Sequence, residues 1–166
     1  IDILINSAGI NIRGPIDEVT YEEFSEVQRI NVDGTWLACR AVLPHMKEKK
    51  YGRIINLASA LGLVAIANRT PYCSSKGGAV MLTRSLALEL ANEGITVNAI
   101  TPGLTSTEGV KAHYSNEMLE SRITARSVQR QQQPEDLVGT VMFLASDRAE
   151  FITGQTVNID GGQLMH

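Results

Sequence analysis

The chain has 166 residues, 43% of them hydrophobic and 20% charged, with a formal net charge of −3. That length suits one domain with a sizeable core, and the balance argues against disorder and against a nucleic-acid partner, which a basic excess would favour. No apolar run approaches the roughly 18 residues of a membrane span, and two cysteines, Cys39 and Cys73, make no disulfide framework, so a cytoplasmic protein is expected.

The opening run Ile1-Asp2-Ile3-Leu4-Ile5 reads as an apolar strand over 2–6. Thr20 and Glu23 then form a capping box, and Phe24, Val27, Gly34, Ala38 and Ala41 follow an apolar stripe along a helix over 21–49. Asn31 lies on that stripe, where an amide is costly unless it is hydrogen-bonded. A bond to a neighbouring carbonyl and a place in a site both meet that need. Cys39 reads as core, and Lys47, Lys49 and Lys50 as the solvated helix end, where cations suit the macrodipole.

Gly52 introduces a buried parallel strand over 53–58. Ser59 follows it, placing a hydroxyl at the carboxyl end of a strand, where open α/β sheets bind ligands. A helix over 72–91 brings Tyr72 and Lys76 to one face, because they stand at i and i+4. A phenol titrates near pH 10, and an adjacent ammonium lowers that value. Such a pair makes a proton donor and acceptor for carbonyl–alcohol chemistry. The same spacing also fits an aromatic ring packed under a lysine stem.

Gly94 is expected to end this helix, and 95–100 forms the next strand. The polar stretch over 104–133, with a short helical stripe at Met118, Leu119 and Ile123, is expected to be a lid over a site. Pro134 with Glu135 and Asp136 starts a helix that runs to about Ala145, and Thr156 to Asp160 is the last strand. This alternation predicts a single α/β domain with a parallel sheet and helices on both faces. His45 reads as a helix-end cation, His113 falls in the lid, and His166 is terminal, so no metal site is assigned.

Asn31, Ser59, Tyr72 and Lys76, in that order and spacing, resemble the Asn-Ser-Tyr-Lys tetrad of the classical short-chain dehydrogenase/reductase family. Asn6-Ser7-Ala8-Gly9 is similar to the family's Asn-Asn-Ala-Gly strand end, with Ser in place of the second Asn. Asn98 through Pro102-Gly103, with Thr107 beyond, looks like its Pro-Gly motif, and Phe151-Ile152-Thr153-Gly154-Gln155 through Asp160-Gly161-Gly162 like its last strand. The wording is close to 3-oxoacyl-carrier-protein-reductase-like and gluconate-5-dehydrogenase-like members. The resemblance implies NAD or NADP as cofactor and hydride transfer between an alcohol and a ketone of small to medium size, of 3-oxoacyl or sugar-acid type.

By the same resemblance, Tyr72 is the general acid/base, Ser59 orients the substrate oxygen, Lys76 lowers the Tyr72 pKa and holds the nicotinamide ribose, and Asn31 supports a water relay. Asn6, Ser7, Ala8 and Gly9 would line the adenine-ribose side of the cofactor, and Pro102, Gly103, Thr105 and Thr107 its nicotinamide side. The substrate wall would be Ala60 to Asn68 and Cys73, mostly apolar, with Asn68 and Arg69 at a polar end. The family's Thr-Gly-x-x-x-Gly-x-Gly turn, which cradles pyrophosphate at a helix start, has no counterpart here. The chain therefore reads as the carboxyl-terminal part of a doubly wound parallel-sheet (Rossmann-type) domain, expected to be inactive alone. A homodimer or homotetramer is expected, with Leu37, Val42, Met81 and Leu88 offering contact surface. The alternative is a non-catalytic half-domain whose apolar first strand pairs with another chain.

Overall fold

The computed structural model describes residues 1–165, and the side chains of all of these except 111–113. His166 and the His113 side chain, both singled out in the sequence, lie outside the described residues. Four strands, β1 (Ile3–Asn6), β2 (Gly52–Leu57), β3 (Ile95–Pro102) and β4 (Thr156–Ile159), form one parallel sheet in that order. The helices are α1 (Tyr21–Gln28), α2 (Gly34–Lys49), α3 (Thr70–Glu89), α4 (Glu108–His113), α5 (Asn116–Thr124) and α6 (Glu135–Leu144).

The central strands are apolar on both faces because both faces are covered. Ile54 packs with Met46, Leu86, Leu90 and Val97 beneath α2 and α3, whereas Ile55, its neighbour on β2, packs with Ile100 and Leu144 beneath α6. This is the doubly wound arrangement expected from the alternation of elements. At the β1 edge, Leu4 packs against the core under α2, while Ile3 and Ile5 on the opposite face are 45% and 44% exposed.

The helix expected over 21–49 is continuous but not uniform. Thr20 and Glu23 make the capping box in both directions, and α1 then passes into α2 through one wide π-helical turn, Arg29–Asp33. That turn holds one residue more than an α-helical turn, so the buried face moves forward by one position. Thr35, Cys39, Val42 and Met46 are buried instead of the expected Gly34, Ala38 and Ala41. Val42 therefore belongs to the core and not to an outer contact surface, whereas Leu37, Met81 and Leu88 are exposed.

Two helix limits also differ from expectation. Helix α3 begins at Thr70, with Pro71 in its first turn, and ends at Glu89. Gly94 closes the turn that follows rather than the helix itself. Its φ is +70°, and a Cβ there would lie 2.1 Å from the Lys50 carbonyl oxygen, so both conformation and space call for glycine. Among the described residues, no helix is long and apolar enough to cross a membrane.

Candidate active site

The carboxyl ends of the strands open into a cleft of about 870 Å³. Ser59 stands just past β2, in extended backbone, and caps a short 3-10 turn, Ala60–Gly62, by accepting from the Leu61 amide at 3.2 Å. Its hydroxyl also lies near enough to the Tyr72 hydroxyl to lower that group's pKa. Gly62 seats this turn against α3. A Cβ at Gly62 would lie 2.7 Å from the backbone C and O of Lys76, so the serine turn and the first turns of α3 are locked in register.

Lys76 is only 5% exposed, and its Nζ donates to the Leu57 carbonyl at 2.7 Å. Burial pushes its pKa down to about 8, because the low-dielectric surroundings penalise the ammonium. Tyr72 is displaced in the opposite sense. Burial raises its hydroxyl above the ordinary phenol value, and the nearby Ser59 hydroxyl and the Arg69 charge pull it back in part. The expectation that Lys76 lowers the Tyr72 pKa is corrected here. The ammonium lies 5.8 Å from the Tyr72 ring centroid and is directed to the Leu57 carbonyl, and desolvation of the phenolate dominates.

Asn31 sits within the π-helical turn, 1% exposed, behind the cleft wall rather than in it. Its Oδ1 accepts from the Ile10 amide at 2.8 Å, and its Nδ2 donates to the Ile10 carbonyl and to Ser75 Oγ, each at 2.9 Å. Ser75 in turn donates to the Tyr72 carbonyl at 2.8 Å. Asn31 thus ties the loop after β1 to the backbone that carries Tyr72. π-helical turns recur at functional sites because the widened turn re-aims a side chain. Gly9 lies against this junction: a Cβ there would come within 3.2 Å of Asn31 Oδ1 and 3.3 Å of Lys76 Nζ. Ser75 was not singled out in the sequence. A small polar residue one turn after Tyr72 and next to Lys76 was the available signal.

The residues expected to face a cofactor divide. Ser7, Gly9, Pro102, Gly103, Thr105 and Thr107 line the cleft. Asn6 turns inward, donating to Asn56 Oδ1 at 2.8 Å and to Cys39 Sγ at 3.4 Å, and Ala8 faces a second depression beside α2. Thr107 caps α4 by accepting from the Val110 amide at 3.2 Å, and Thr105 donates to the Gly103 carbonyl at 3.1 Å. The segment expected over 104–133 carries α4 and α5, and Leu104, Val110 and Tyr114 add to the wall. Of the expected substrate wall, Ala60, Leu61, Val64, Ile66 and Arg69 line the cleft, whereas Ala65, Ala67, Asn68 and Cys73 do not. Asn68 adopts a left-handed turn conformation (φ 61°) and its carbonyl accepts from Gly14. Asn11, Arg13, Tyr114 and Arg122 also reach the wall. They come from the loop after β1, from the junction of α4 and α5 and from α5 itself, segments far apart in sequence, so no local spacing announces them.

The tight seat of Gly62 yields a paired prediction. Gly62→Ala must displace backbone, not a flexible side-chain end, and is expected to destabilise by roughly 1–3 kcal/mol while moving Ser59 away from Tyr72. Gly139→Ala, in α6, meets nothing within 4 Å and is expected to be neutral or to stabilise by up to about 1 kcal/mol. Urea denaturation of both variants checks the pair. Equal midpoints would mean that the turn is not locked to α3.

The chain matches the family model described as enoyl-(acyl carrier protein) reductase over residues 1–163. It is 37% identical to the 5-keto-D-gluconate 5-reductase of Escherichia coli (strain K12), over 99% of this chain and 65% of that protein. It is 38% identical to the 3-oxoacyl-(acyl-carrier-protein) reductase FabG of Staphylococcus aureus (strain Mu50), over 99% of this chain and 67% of that protein. Among solved structures, it superposes with a TM-score of 0.94 on a gluconate 5-dehydrogenase from Burkholderia cenocepacia J2315 in complex with NADP and tartrate. The identity there is 34%, over 98% of this chain and 64% of that one. The chain thus spans about two thirds of the length of the relatives it matches.

Proposed function

We propose that this chain, which belongs to the short-chain dehydrogenase/reductase family, carries the proton-transfer and substrate side of an oxidoreductase that interconverts a secondary alcohol and a ketone with NAD or NADP. The observation that supports this most is the convergence of Ser59, Tyr72 and Lys76 on one cleft at the carboxyl ends of a parallel sheet, opposite Pro102 and Gly103.

The residues fit a nicotinamide nucleotide. Lys76 uses one donor on Leu57 and lines the cleft with the others, as ribose hydroxyls would require. At Gly9 a Cβ would crowd Asn31 Oδ1 and Lys76 Nζ, at 3.2 and 3.3 Å. When bound, such a cofactor supplies or accepts the hydride. In reduction the Tyr72 hydroxyl, protonated at neutral pH as any phenol is and held further from ionisation by burial, gives its proton to the substrate oxygen. Ser59, beside Tyr72 on the cleft wall, donates to the same oxygen where negative charge grows. Lys76 holds positive charge beside the reacting oxygen, and Asn31 fixes the Ile10 loop and, through Ser75, the Tyr72 backbone. The segment over 104–133 closes the cleft as a lid.

Substrates of sugar-acid or 3-oxoacyl type follow from the relatives, one acting on a keto-gluconate and another on a 3-oxoacyl carrier. The exposed Leu37, Met81 and Leu88 on α2 and α3 support a homodimer or homotetramer, and two free thiols, Cys39 and Cys73, suit a cytoplasmic setting. Incubating the enzyme with reduced cofactor, 5-ketogluconate and a 3-oxoacyl thioester, and following loss of nicotinamide absorbance, is the direct test. Consumption of one ketone is expected. Proton exchange or binding without hydride transfer to any ketone or alcohol would end this reading.

A further inference from the structure

Arg69 is 8% exposed and stands immediately before α3, one helical turn ahead of Tyr72. Its guanidinium donates to Asn11 Oδ1 at 3.0 Å and to Tyr114 Oη at 3.3 Å. Both acceptors are neutral, and among the described residues no carboxylate pairs with it. Three of its five N–H donors remain for something else. A buried cation without a counter-charge is costly, and neutral acceptors only partly compensate it. The fold keeps this cation where it lines the cleft.

The surroundings do not supply the missing charge. Arg13, held over the Tyr114 ring at 4.4 Å, and Arg122 line the same cleft. The one carboxylate among the described lining residues is Asp160, whose oxygens already accept from the Gly162, Gln163 and Leu164 amides and from Asn158. The cleft therefore presents a positive field to an entering ligand, with the Arg69 fork pre-set by Asn11 and Tyr114. A planar fork of this kind matches a carboxylate with two parallel hydrogen bonds.

We infer that Arg69 anchors a carboxylate of the substrate, so that the substrate is a hydroxy acid or oxo acid and not an acyl thioester. One turn of helix separates neighbouring side chains by about 5–6 Å. A carboxylate on Arg69 thus leaves a carbon a few bonds along the same molecule beside Tyr72 and Ser59. This deepens the function proposed above and rests on it for the identity of the reacting carbon. It sharpens the expectation that Arg69 stands at a polar end of the substrate wall.

The test compares gluconate with sorbitol, which has the same carbon chain but an alcohol in place of the carboxylate. Calorimetric titration with oxidised cofactor present is run on the enzyme and on Arg69→Gln and Arg69→Lys. The enzyme is expected to prefer gluconate at least tenfold. Arg69→Gln should bind gluconate about 10- to 100-fold more weakly with sorbitol unchanged, and Arg69→Lys should restore part of the loss. If Arg69→Gln does not fold, the preference of the unaltered enzyme decides. A missing preference, or a folded Arg69→Gln that binds gluconate as before, overturns the inference. So does a loss of cofactor affinity with the gluconate-to-sorbitol ratio unchanged, since Arg69 would then serve the cofactor phosphates. Turnover is read separately: acid preference without hydride transfer sinks the proposed function and leaves the carboxylate site standing. Ketone reduction without acid preference does the reverse.

Discussion

Tyr72→Phe is expected to leave the fold intact and to lower turnover by roughly two to four orders of magnitude, the usual contribution of a positioned general acid or base. The ring keeps its packing, and the lost hydroxyl takes with it only a polar contact near Ser59, worth at most about 1 kcal/mol of stability. Because a phenol is protonated at neutral pH and burial raises its pKa further, reduction starts from a loaded proton donor. Oxidation needs that proton removed first and should gain more from alkaline conditions. Steady-state rates in both directions over a pH series, with circular dichroism as the folding control, give the measurement. A phenylalanine variant that turns over like the unaltered enzyme would remove Tyr72 from the mechanism.

The second large effect is on stability, through Lys76. Its folded pKa, about 8, lies below the unfolded value of 10.5, so the unfolded chain binds more protons between those two values. Stability from this group therefore rises with pH through that window. Below about pH 8 the full cost of the buried ammonium is present, and above about 10.5 it is absent. The gap corresponds to roughly 3 kcal/mol. In Lys76→Met the cost is gone at every pH. The difference in unfolding free energy between the two proteins should therefore move by up to that amount, in favour of the unaltered protein, from neutral to strongly alkaline solution. Urea titrations at a series of pH values report it, and taking the difference cancels the tyrosines and cysteines that titrate in the same range. A pH-independent difference would mean that Lys76 is as well solvated folded as unfolded.

Much of this architecture is written locally. The capping box at Thr20 and Glu23 and the apolar runs of β2 and β3 depend on neighbours within a few positions, so the order of elements and the parallel sheet are readable from the chain itself. The i, i+4 placement of Tyr72 and Lys76 is legible for the same reason. Three features are not local, and only the packed structure decided them. The π-helical turn at Arg29–Asp33 shifts the buried face of α2 by one residue, because Asn31 has to reach both Ile10 and Ser75, 21 and 44 positions away in sequence. The electrostatics of Tyr72 and Lys76 depart from the simple pairwise expectation, since burial is the largest influence on both and sequence carries no measure of desolvation. The unpaired charge of Arg69 becomes visible only when Asn11 and Tyr114, from loops 58 and 45 residues away, take up its donors and leave no carboxylate beside it. Local spacing determines which groups face the same way, whereas tertiary packing determines which of them lose water, and that loss sets their charge and their chemistry.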